Sequence, residues 1–396
     1  MSWKLAPALA AGNTVVVKPS ELTPLTTIRC FELLDRAGLP PGVANLVLGP
    51  GPTVGAELAA SDEVDLVSFT GGIATGREIM KAAAGNVKKI ALELGGKNPN
   101  IVFADADLVL EAVFEEMKVK QQLFSEIEAV VEPECVLATN TSSLSVTEMA
   151  AGLRHPERVV GLHFFNPVAL LPLVEVVRAD RTDDGTLATA LAVAKQLRKS
   201  GVLVKDAPAF VVNRILTRLM GEVTRAADEG TPIDVADRAL APLGLPMSPF
   251  VLLQLVGPGV ALHVAETLHE AFPDRFTVSE NLRRLVAAGK PGIWSWDEKG
   301  RPYLDDETAE LFEQGDVALS EDEVRERALA AVAEEIRIML DEGVVAQPQD
   351  VDLCLLLGAG WPFHLGGITP YLDRTGVSER ATGARFLPQG VAGLPS

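Results

Sequence analysis

The sequence predicts an α/β N-terminal part built on a doubly wound, mostly parallel sheet, followed by an all-α C-terminal part with two similar helical units. Three observations predict it. Short β-branched runs alternate with amphipathic stretches up to about residue 205, and such alternation means right-handed crossovers between parallel strands. After Asp206 the strand signals thin out. In the later region Glu229-Gly230, Asp234-Val235 and Leu243-Gly244 return as Glu342-Gly343, Asp350-Val351 and Leu357-Gly358, at offsets of 113, 116 and 114 residues. A recurrence at near-constant offset marks a duplicated structural unit.

The elements follow in order. Period and β-branched content predict strands at Thr14–Lys18, Asn45–Leu48, Leu66–Phe69, Lys89–Glu93, Asn100–Phe103, Leu108–Ala112, Val136–Thr139, Val159–Phe164, Leu173–Val177 and Val202–Val204. Amphipathic spacing predicts helices at Pro24–Ala37, Ala74–Ala84 and Val119–Val131, with Pro24 as an entry signal and Gly38 as a stop. Beyond Asp206, helices are predicted at Val211–Glu229, Pro232–Ala241, Pro249–Ala271 and Val278–Ala288, and a last helical block begins near Glu321. Residues 290–320, with Trp294 and Trp296 and then an acidic run, read as a linker in which the two tryptophans are packing residues.

Composition bounds the function. A chain of 396 residues with 47% hydrophobic content has room for two to four domains. The 35 basic against 54 acidic residues leave a net charge of −19, which argues against a general nucleic-acid binder. A phosphate-bearing cofactor remains compatible, since helix N-termini and a few lysines supply a local positive field. Cys30, Cys135 and Cys354 are widely spaced and form no CxxC, so neither a disulfide framework nor a cysteine zinc site is expected. The five histidines include no HxxxH pair, so no histidine metal site is expected either. The first residues lack the basic and long apolar regions of a signal peptide. No apolar stretch reaches the roughly 20 residues that span a bilayer. These features together read as cytoplasmic.

Motifs carry the chemistry. Val15-Val16-Val17-Lys18-Pro19-Ser20-Glu21 ends a strand with charged residues at the edge where open α/β sheets take nucleotides. Phe69-Thr70-Gly71-Gly72 leads into a helix start, and Glu93-Leu94-Gly95-Gly96-Lys97 places a carboxylate before a flexible turn. Farther on come Glu115-Glu116-Met117-Lys118-Val119-Lys120, Thr139-Asn140-Thr141-Ser142-Ser143, His163-Phe164-Phe165-Asn166-Pro167 followed by Leu173-Val174-Glu175-Val176, and Asp206-Ala207-Pro208-Ala209-Phe210-Val211-Val212-Asn213. Oxidising a secondary alcohol needs a base for the hydroxyl proton, and His163 suits that because imidazole titrates near neutral pH. A base needs a carboxylate on its other nitrogen to hold one tautomer. Glu175 is placed for this, on the next strand after the turn at Pro167–Pro172. Ser142, at a strand end, and Asn213, at a helix start, are donors for a developing alkoxide.

Over residues 1–107 the motifs together resemble the aldehyde dehydrogenase family. The resemblance implies that Lys18 and Glu21 hold the adenosine ribose, with Glu21 favouring NAD, and that Glu93 matches the general base. The family's nucleophilic cysteine and its oxyanion asparagine are missing, and Cys135 lies in an unrelated setting. Without a thiolate no covalent route exists, so Glu93 reads as a solvated strand-end carboxylate.

From about Asp105 the chain resembles an L-3-hydroxyacyl-CoA dehydrogenase of the type found in the bacterial fatty-acid β-oxidation multienzyme, without its GxGxxG unit. This implies His163 as acid/base, Glu175 as its partner, Ser142 and Asn213 on the reacting oxygen, and Glu115, Lys120, Ser142 and Asn166 around the nicotinamide and ribose of NAD. The implied partners are an acyl-CoA substrate and, through the helical tail, a second copy of the chain or a β-oxidation assembly. Two departures stand out: the family's Pro-Gly-Phe is Pro208-Ala209-Phe210, and two acidic groups are gone from the stretch Ser248–Gln254.

The switch between families falls on Ala104-Asp105-Ala106-Asp107-Leu108, which suits both. The chain therefore reads as a chimera. Its expected parts are an aldehyde-dehydrogenase-like Rossmann fragment (1–107), the C-terminal half of a hydroxyacyl-CoA dehydrogenase NAD-binding domain (108–206), a helical substrate and dimerisation domain (207–290), a linker (291–320) and a second helical repeat (321–396). Fragments not shaped for each other are expected to be weakest at the seam. Three functions follow: NAD-dependent oxidation of (S)-3-hydroxyacyl-CoA, a catalytically impaired chimera that keeps a folded helical assembly domain, or an aldehyde dehydrogenase without its nucleophile.

Overall fold

The computed structural model describes residues 2–85, 87–94, 102–297, 300–313 and 315–391. The chain divides into two units, residues 1–101 and 102–396.

The first unit holds helix α1 (Ser2–Ala10), strand β1 (Val15–Val17), α2 (Leu25–Arg36), β2 (Ala44–Leu46), α3 (Ala56–Ala60), β3 (Leu66–Gly71), α4 (Ile73–Ala84) and β4 (Lys89–Leu94). The strands pair in parallel, but as two separate ladders, β1 with β2 and β3 with β4. Helix α1 and α3 were not expected from the sequence, while the four strands fall where predicted. The predicted strand at Asn100–Phe103 does not form at Val102–Phe103, and residues 100–101 lie outside the described residues. Buried apolar side chains are few here, Leu5, Ala59 and Ala83, whereas Val16 and Leu66 are about half exposed at 47% and 50%. Among the described residues the clusters of buried apolar side chains all lie in the second unit. Two two-stranded ladders in a unit of about a hundred residues leave their strands without apolar cover on both faces.

The second unit opens with a five-stranded sheet of order β5-β6-β7-β8-β9, made of β5 (Leu108–Glu111), β6 (Val136–Thr139), β7 (Val159–Phe164), β8 (Leu173–Arg178) and β9 (Ser200–Lys205). All neighbours are parallel except β7 and β8. Helices α5 (Met117–Glu128), α6 (Val146–Ala150) and α7 (Asp184–Gln196) connect the strands. Alternate residues face opposite sides. Ala138, Val160 and Val174 meet Leu187 and Ala190 of α7, while Leu137, Val159 and Val177 join the larger core on the other face. Both faces are thus covered, which is why β6 to β8 read as continuous apolar runs. Among the described residues β5 pairs only with β6, so one sheet edge carries no partner strand.

The rest is helical: α8 (Val212–Glu229), α9 (Ile233–Arg238), α10 (Pro249–Val256), α11 (Pro258–Ala271), α12 (Glu280–Ala287), α13 (Asp306–Leu311), α14 (Glu321–Asp341), α15 (Pro348–Gly358), α16 (Ile368–Arg374) and α17 (Val377–Thr382). The single helix expected over Pro249–Ala271 is two, meeting at 99°. Gly257 takes φ +97°, and Pro258 has no N–H to continue the ladder. Residues 290–320 are not a bare linker. Strands β10 (Ser295–Trp296) and β11 (Pro302–Tyr303) form a short hairpin before α13, and the Trp294 indole donates to Asp237 at 2.9 Å.

The duplication appears in the packing. Asp237 on α9 accepts from the Phe250 N–H and the Ser248 hydroxyl at the start of α10. Asp352 on α15, 115 positions later, accepts from the N–H and hydroxyl of Thr369 at the start of α16. In each unit a buried aspartate ties the second helix to the N-terminus of a following one, where exposed N–H groups need acceptors. Helices α8 and α14 pack together and share a buried charge network. Arg214 donates to Glu335 at 2.5 Å and to Glu342 at 2.8 Å, and Arg275 also reaches Glu335 at 3.0 Å. The Phe272 ring lies 4.6 Å from the Arg214 guanidinium and 4.2 Å from that of Arg275.

Candidate active site

The site grows from the one antiparallel pair of the large sheet. Strands β7 and β8 are joined by a tight turn, and their register sets His163 directly opposite Glu175. His163 Nδ1 donates to Glu175 Oε2 at 2.6 Å, and both side chains are buried. The other carboxylate oxygen accepts from the N–H groups of Val211 and Val212, at 3.2 and 2.9 Å. Those donors open α8, where the helix dipole favours negative charge. Just before them Ala209 and Phe210 take φ of +59° and +52°. This left-handed pair turns the chain so that successive N–H groups converge on the carboxylate, at a backbone cost of about 1–2 kcal/mol per residue. The Pro-Ala-Phe departure therefore places a methyl where glycine would be unstrained. The imidazole packs against Phe165 and Phe210, with ring centroids 4.3 and 5.6 Å away. Three neighbours thus fix its plane and leave its other nitrogen as the one to exchange a proton.

A second cluster lies at the C-terminal ends of β5 and β6. Lys120 of α5 is fully buried and donates to Glu111 at 2.8 Å and to the Asn140 carbonyl at 2.8 Å, and it lies 3.5 Å from Glu115. Thr139 donates to Glu111 as well. Lys120 spends its donors inside the protein, so it fixes its neighbours and does not face outward. Glu115 accepts from the Thr141 hydroxyl at 2.6 Å and from the Ser142 N–H at 2.8 Å, and about a third of its side chain stays exposed. Asn213, one residue into α8, donates to the Ser142 carbonyl at 3.3 Å, which joins this cluster to the helix that holds Glu175. Asn166 lies exposed beyond β7, before a cis bond to Pro167.

Three positions have contacts that the sequence reading did not assign. Glu111 is the buried counter-charge of Lys120. Asn140 accepts from the Phe164 N–H at 3.2 Å and so ties the end of β7 to β6. Asp206 accepts from the N–H groups of Val146 and Thr147 and from the Ser145 hydroxyl, and so anchors the start of α6. Glu111 carried a signal, a carboxylate on a strand otherwise apolar; the other two depend on contacts that no local pattern reveals.

In the first unit Lys18 and Glu21 form an ion pair at 3.5 Å. The Glu21 carboxyl is held below its usual range, first by its own backbone N–H and then by the Lys18 charge. Glu93 is exposed, and its charge opposes the burial that pulls the Lys4 ammonium below its usual range. Burial pushes the Cys135 thiol up, and burial with the Glu175 charge pushes Cys354 up. Neither is a ready thiolate.

An open α/β sheet with a buried histidine–carboxylate pair at its strand ends fits the class of a nucleotide-dependent dehydrogenase. Comparison with known proteins specifies it. Residues 1–123 match the aldehyde dehydrogenase family, residues 74–207 the NAD-binding domain of 3-hydroxyacyl-CoA dehydrogenase, and residues 210–296 the C-terminal domain of that enzyme. The alpha subunit of the fatty acid oxidation complex of Psychrobacter cryohalolentis is 34% identical over 293 residues, covering 70% of this chain and 41% of the relative. The betaine aldehyde dehydrogenase of Bacillus subtilis is 72% identical over 119 residues, covering 28% of this chain and 24% of the relative. The chain thus spans under half the length of either relative. The fold is shared with 3-hydroxybutyryl-CoA dehydrogenase from Escherichia coli, at a TM-score of 0.60 and 23% identity over 85% of this chain and 94% of that one. The chain is a composite, an aldehyde dehydrogenase fragment followed by the domains of a 3-hydroxyacyl-CoA dehydrogenase.

The residues present fit one half of an NAD molecule. Glu115 and Ser142 offer an acceptor and a hydroxyl at the C-terminal strand ends, the place where such sheets take their nucleotide. For the diphosphate half the sequence contains no GxGxxG turn. Among the described residues no single helix is long and apolar enough to cross a membrane.

Proposed function

We propose that this chain oxidises (S)-3-hydroxyacyl-CoA to 3-oxoacyl-CoA with NAD, a step of fatty-acid β-oxidation, and binds the cofactor weakly. The observation that carries this reading is the 2.6 Å bond between His163 and Glu175, with the second carboxylate oxygen tied to two N–H groups of α8. Glu175 keeps the proton on Nδ1, so Nε2 is the nitrogen that takes the substrate hydroxyl proton as the C3–O bond becomes a carbonyl. In the reverse direction the same nitrogen returns it. Ser142 and Asn213 donate to the oxygen while it carries charge. Phe165 and Phe210 hold the ring in plane and keep water from it. Glu115, Ser142 and Asn166 take the ribose and nicotinamide end, and Lys120 holds Glu115 in place. Bound NAD supplies the acceptor for the hydride that leaves C3.

The missing diphosphate turn and the unpaired edge of β5 favour a second reading. In it the helical part is an assembly or dimerisation scaffold and the site is catalytically impaired. Both readings place the protein in the cytoplasm, and both keep an aldehyde-dehydrogenase-like part (1–107) apart from the hydroxyacyl-CoA-dehydrogenase-like parts 108–206, 207–290 and 321–396, with 291–320 between the last two.

Reduction of acetoacetyl-CoA by NADH, run beside NADH calorimetry, separates them. Turnover that is abolished in His163→Ala, with weak NADH binding, is the expected result. Folded protein that neither binds NADH nor turns over refutes the dehydrogenase and leaves the scaffold. Thiol-dependent aldehyde oxidation would instead reinstate an aldehyde dehydrogenase.

A further inference from the structure

The second helical unit carries no residue of the site, yet its helix α15 lies against the elements that hold the Glu175 carboxylate. Gly358, the last residue of α15, makes that approach possible. A Cβ there would overlap Leu173 Cδ2 and stand 3.3 Å from Val212 Cγ2. Both neighbours bear on Glu175. Leu173 lies two residues before it on β8 and so points to the same face of the sheet. Val212 donates its N–H to Glu175 Oε1 at 2.9 Å. Leu173 and Val212 are buried, and a close-packed core leaves them little room to turn aside.

Two further contacts seat α15. Cys354 lies four residues before Gly358, on the same face of the helix, and is buried in one apolar cluster with Leu173, Val211 and Val212. Burial first and the Glu175 charge second push its thiol up, so the helix stands within reach of the carboxylate's field. In the loop that leads into α15, the Val344 carbonyl accepts from the Lys205 N–H at 2.8 Å, at the end of β9 beside β8. Helix α15 is thus tied to the sheet before it begins and closes on the start of α8 where it ends. Whatever fixes the start of α8 also fixes the two N–H groups on Glu175, and through Glu175 the tautomer of His163.

We propose that the second helical unit is a buttress for the acid/base pair, and that Gly358 and Cys354 are positioning residues that act on Glu175 through Leu173 and Val212. The inference rests on the dehydrogenase reading above. It gives the duplicated unit a part in the chemistry that needs no contact with substrate.

Gly358→Ala in the full chain tests it. Gly221→Ala is the matched change, since Gly221 is also helical, in α8, and a Cβ there meets nothing within 4 Å. A methyl at Gly358 has to shift Leu173 or Val212 by about 1 Å, and misplacement of that order costs about 10²-fold in rate. Acetoacetyl-CoA reduction is expected to lose about 10- to 100-fold in kcat, with KM within about twofold of the parent. Nitrogen NMR of the His163 ring is expected to show loss of the single Nδ1-protonated tautomer. Gly221→Ala keeps the parental kcat and ring signals. Adding Leu173→Val to Gly358→Ala removes both δ-carbons of the leucine and restores the two readouts. Where Gly358→Ala does not fold, Cys354→Ala loosens the same contact more gently and is expected to lower kcat at unchanged KM. Parental kcat and tautomer in folded Gly358→Ala or in Cys354→Ala overturn the buttress, and so do equal losses in Gly221→Ala. A folded parent without any turnover overturns the dehydrogenase reading instead, and the ring signals of parent and variants then decide the buttress by themselves.

Discussion

Replacing Glu175 by glutamine separates its two tasks. The carboxylate accepts one bond from His163 and two from the N–H groups that open α8. Glutamine has nearly the same shape and keeps one carbonyl oxygen. With that oxygen turned toward Val211 and Val212, the helix start stays satisfied and the amide NH2 faces His163 Nδ1. The imidazole then has to accept at Nδ1 and carry its proton on Nε2, the wrong tautomer for a base. A comparable exchange in the serine-protease triad costs about 10⁴ in kcat, or about 5 kcal/mol of barrier. Stability moves far less. Two charge-assisted bonds become neutral ones, a loss of about 1 kcal/mol each, and relief from burying a charge offsets it. Glu175→Ala is different, since three buried donors lose their acceptor at about 1–3 kcal/mol apiece. We expect Glu175→Gln to fold with a Tm within about 5 °C of the parent and to lose about 10³–10⁴ in acetoacetyl-CoA reduction through kcat. Glu175→Ala loses both rate and stability. Stopped-flow turnover beside thermal unfolding reads the two effects. Glu175→Gln with more than about a tenth of parental kcat refutes the steering role.

Two other outcomes follow from the helical part. Arg214→Ala strips the buried Glu335 of one of its two cationic partners and removes a guanidinium from the Phe272 ring; urea unfolding should show a loss of about 3–5 kcal/mol, and a loss under about 1 kcal/mol refutes the network as the tie between α8 and α14. Burial raises the Asp352 carboxyl above its usual range, against the two bonds from Thr369 and with help from the Asp373 charge. A carboxyl whose folded pKa lies above its unfolded value of about 3.9 stabilises the fold below that pH and loses this contribution as pH rises through the folded value. Asp352→Asn cannot ionise, so its stability relative to the parent should increase from pH 4 to pH 7; a constant or falling difference overturns the assignment.

The pairing of His163 with Glu175 was legible because β-strand geometry is regular. A histidine at one strand end, a turn held by prolines, and a glutamate twelve positions on can face each other in a hairpin with few alternatives, and the register places them so. Asn213 and Ser142 were legible as a set with that pair. Helix α7 was not, since its alanine-rich stretch shows little contrast between faces. The break at Gly257-Pro258 is visible in the sequence, but the apolar run on either side of it has the pattern of one long helix.

By itself the sequence determined the composite origin, the strands of both units, the duplication of the helical unit and which histidine and glutamate face each other across β7 and β8. Each of these is written in residue type and spacing, which local physics reads directly. Only the tertiary structure decided that the first unit forms two separate ladders with few buried apolar residues, because burial depends on which partner strands are present. It alone decided that Val211 and Val212 hold Glu175 through a left-handed Ala209-Phe210 pair. It also decided that α8, α10 and α15 leave an apolar hollow between them. Hydrogen bonds to backbone and cavities between helices arise from residues tens to over a hundred positions apart, and no local pattern encodes where those meet.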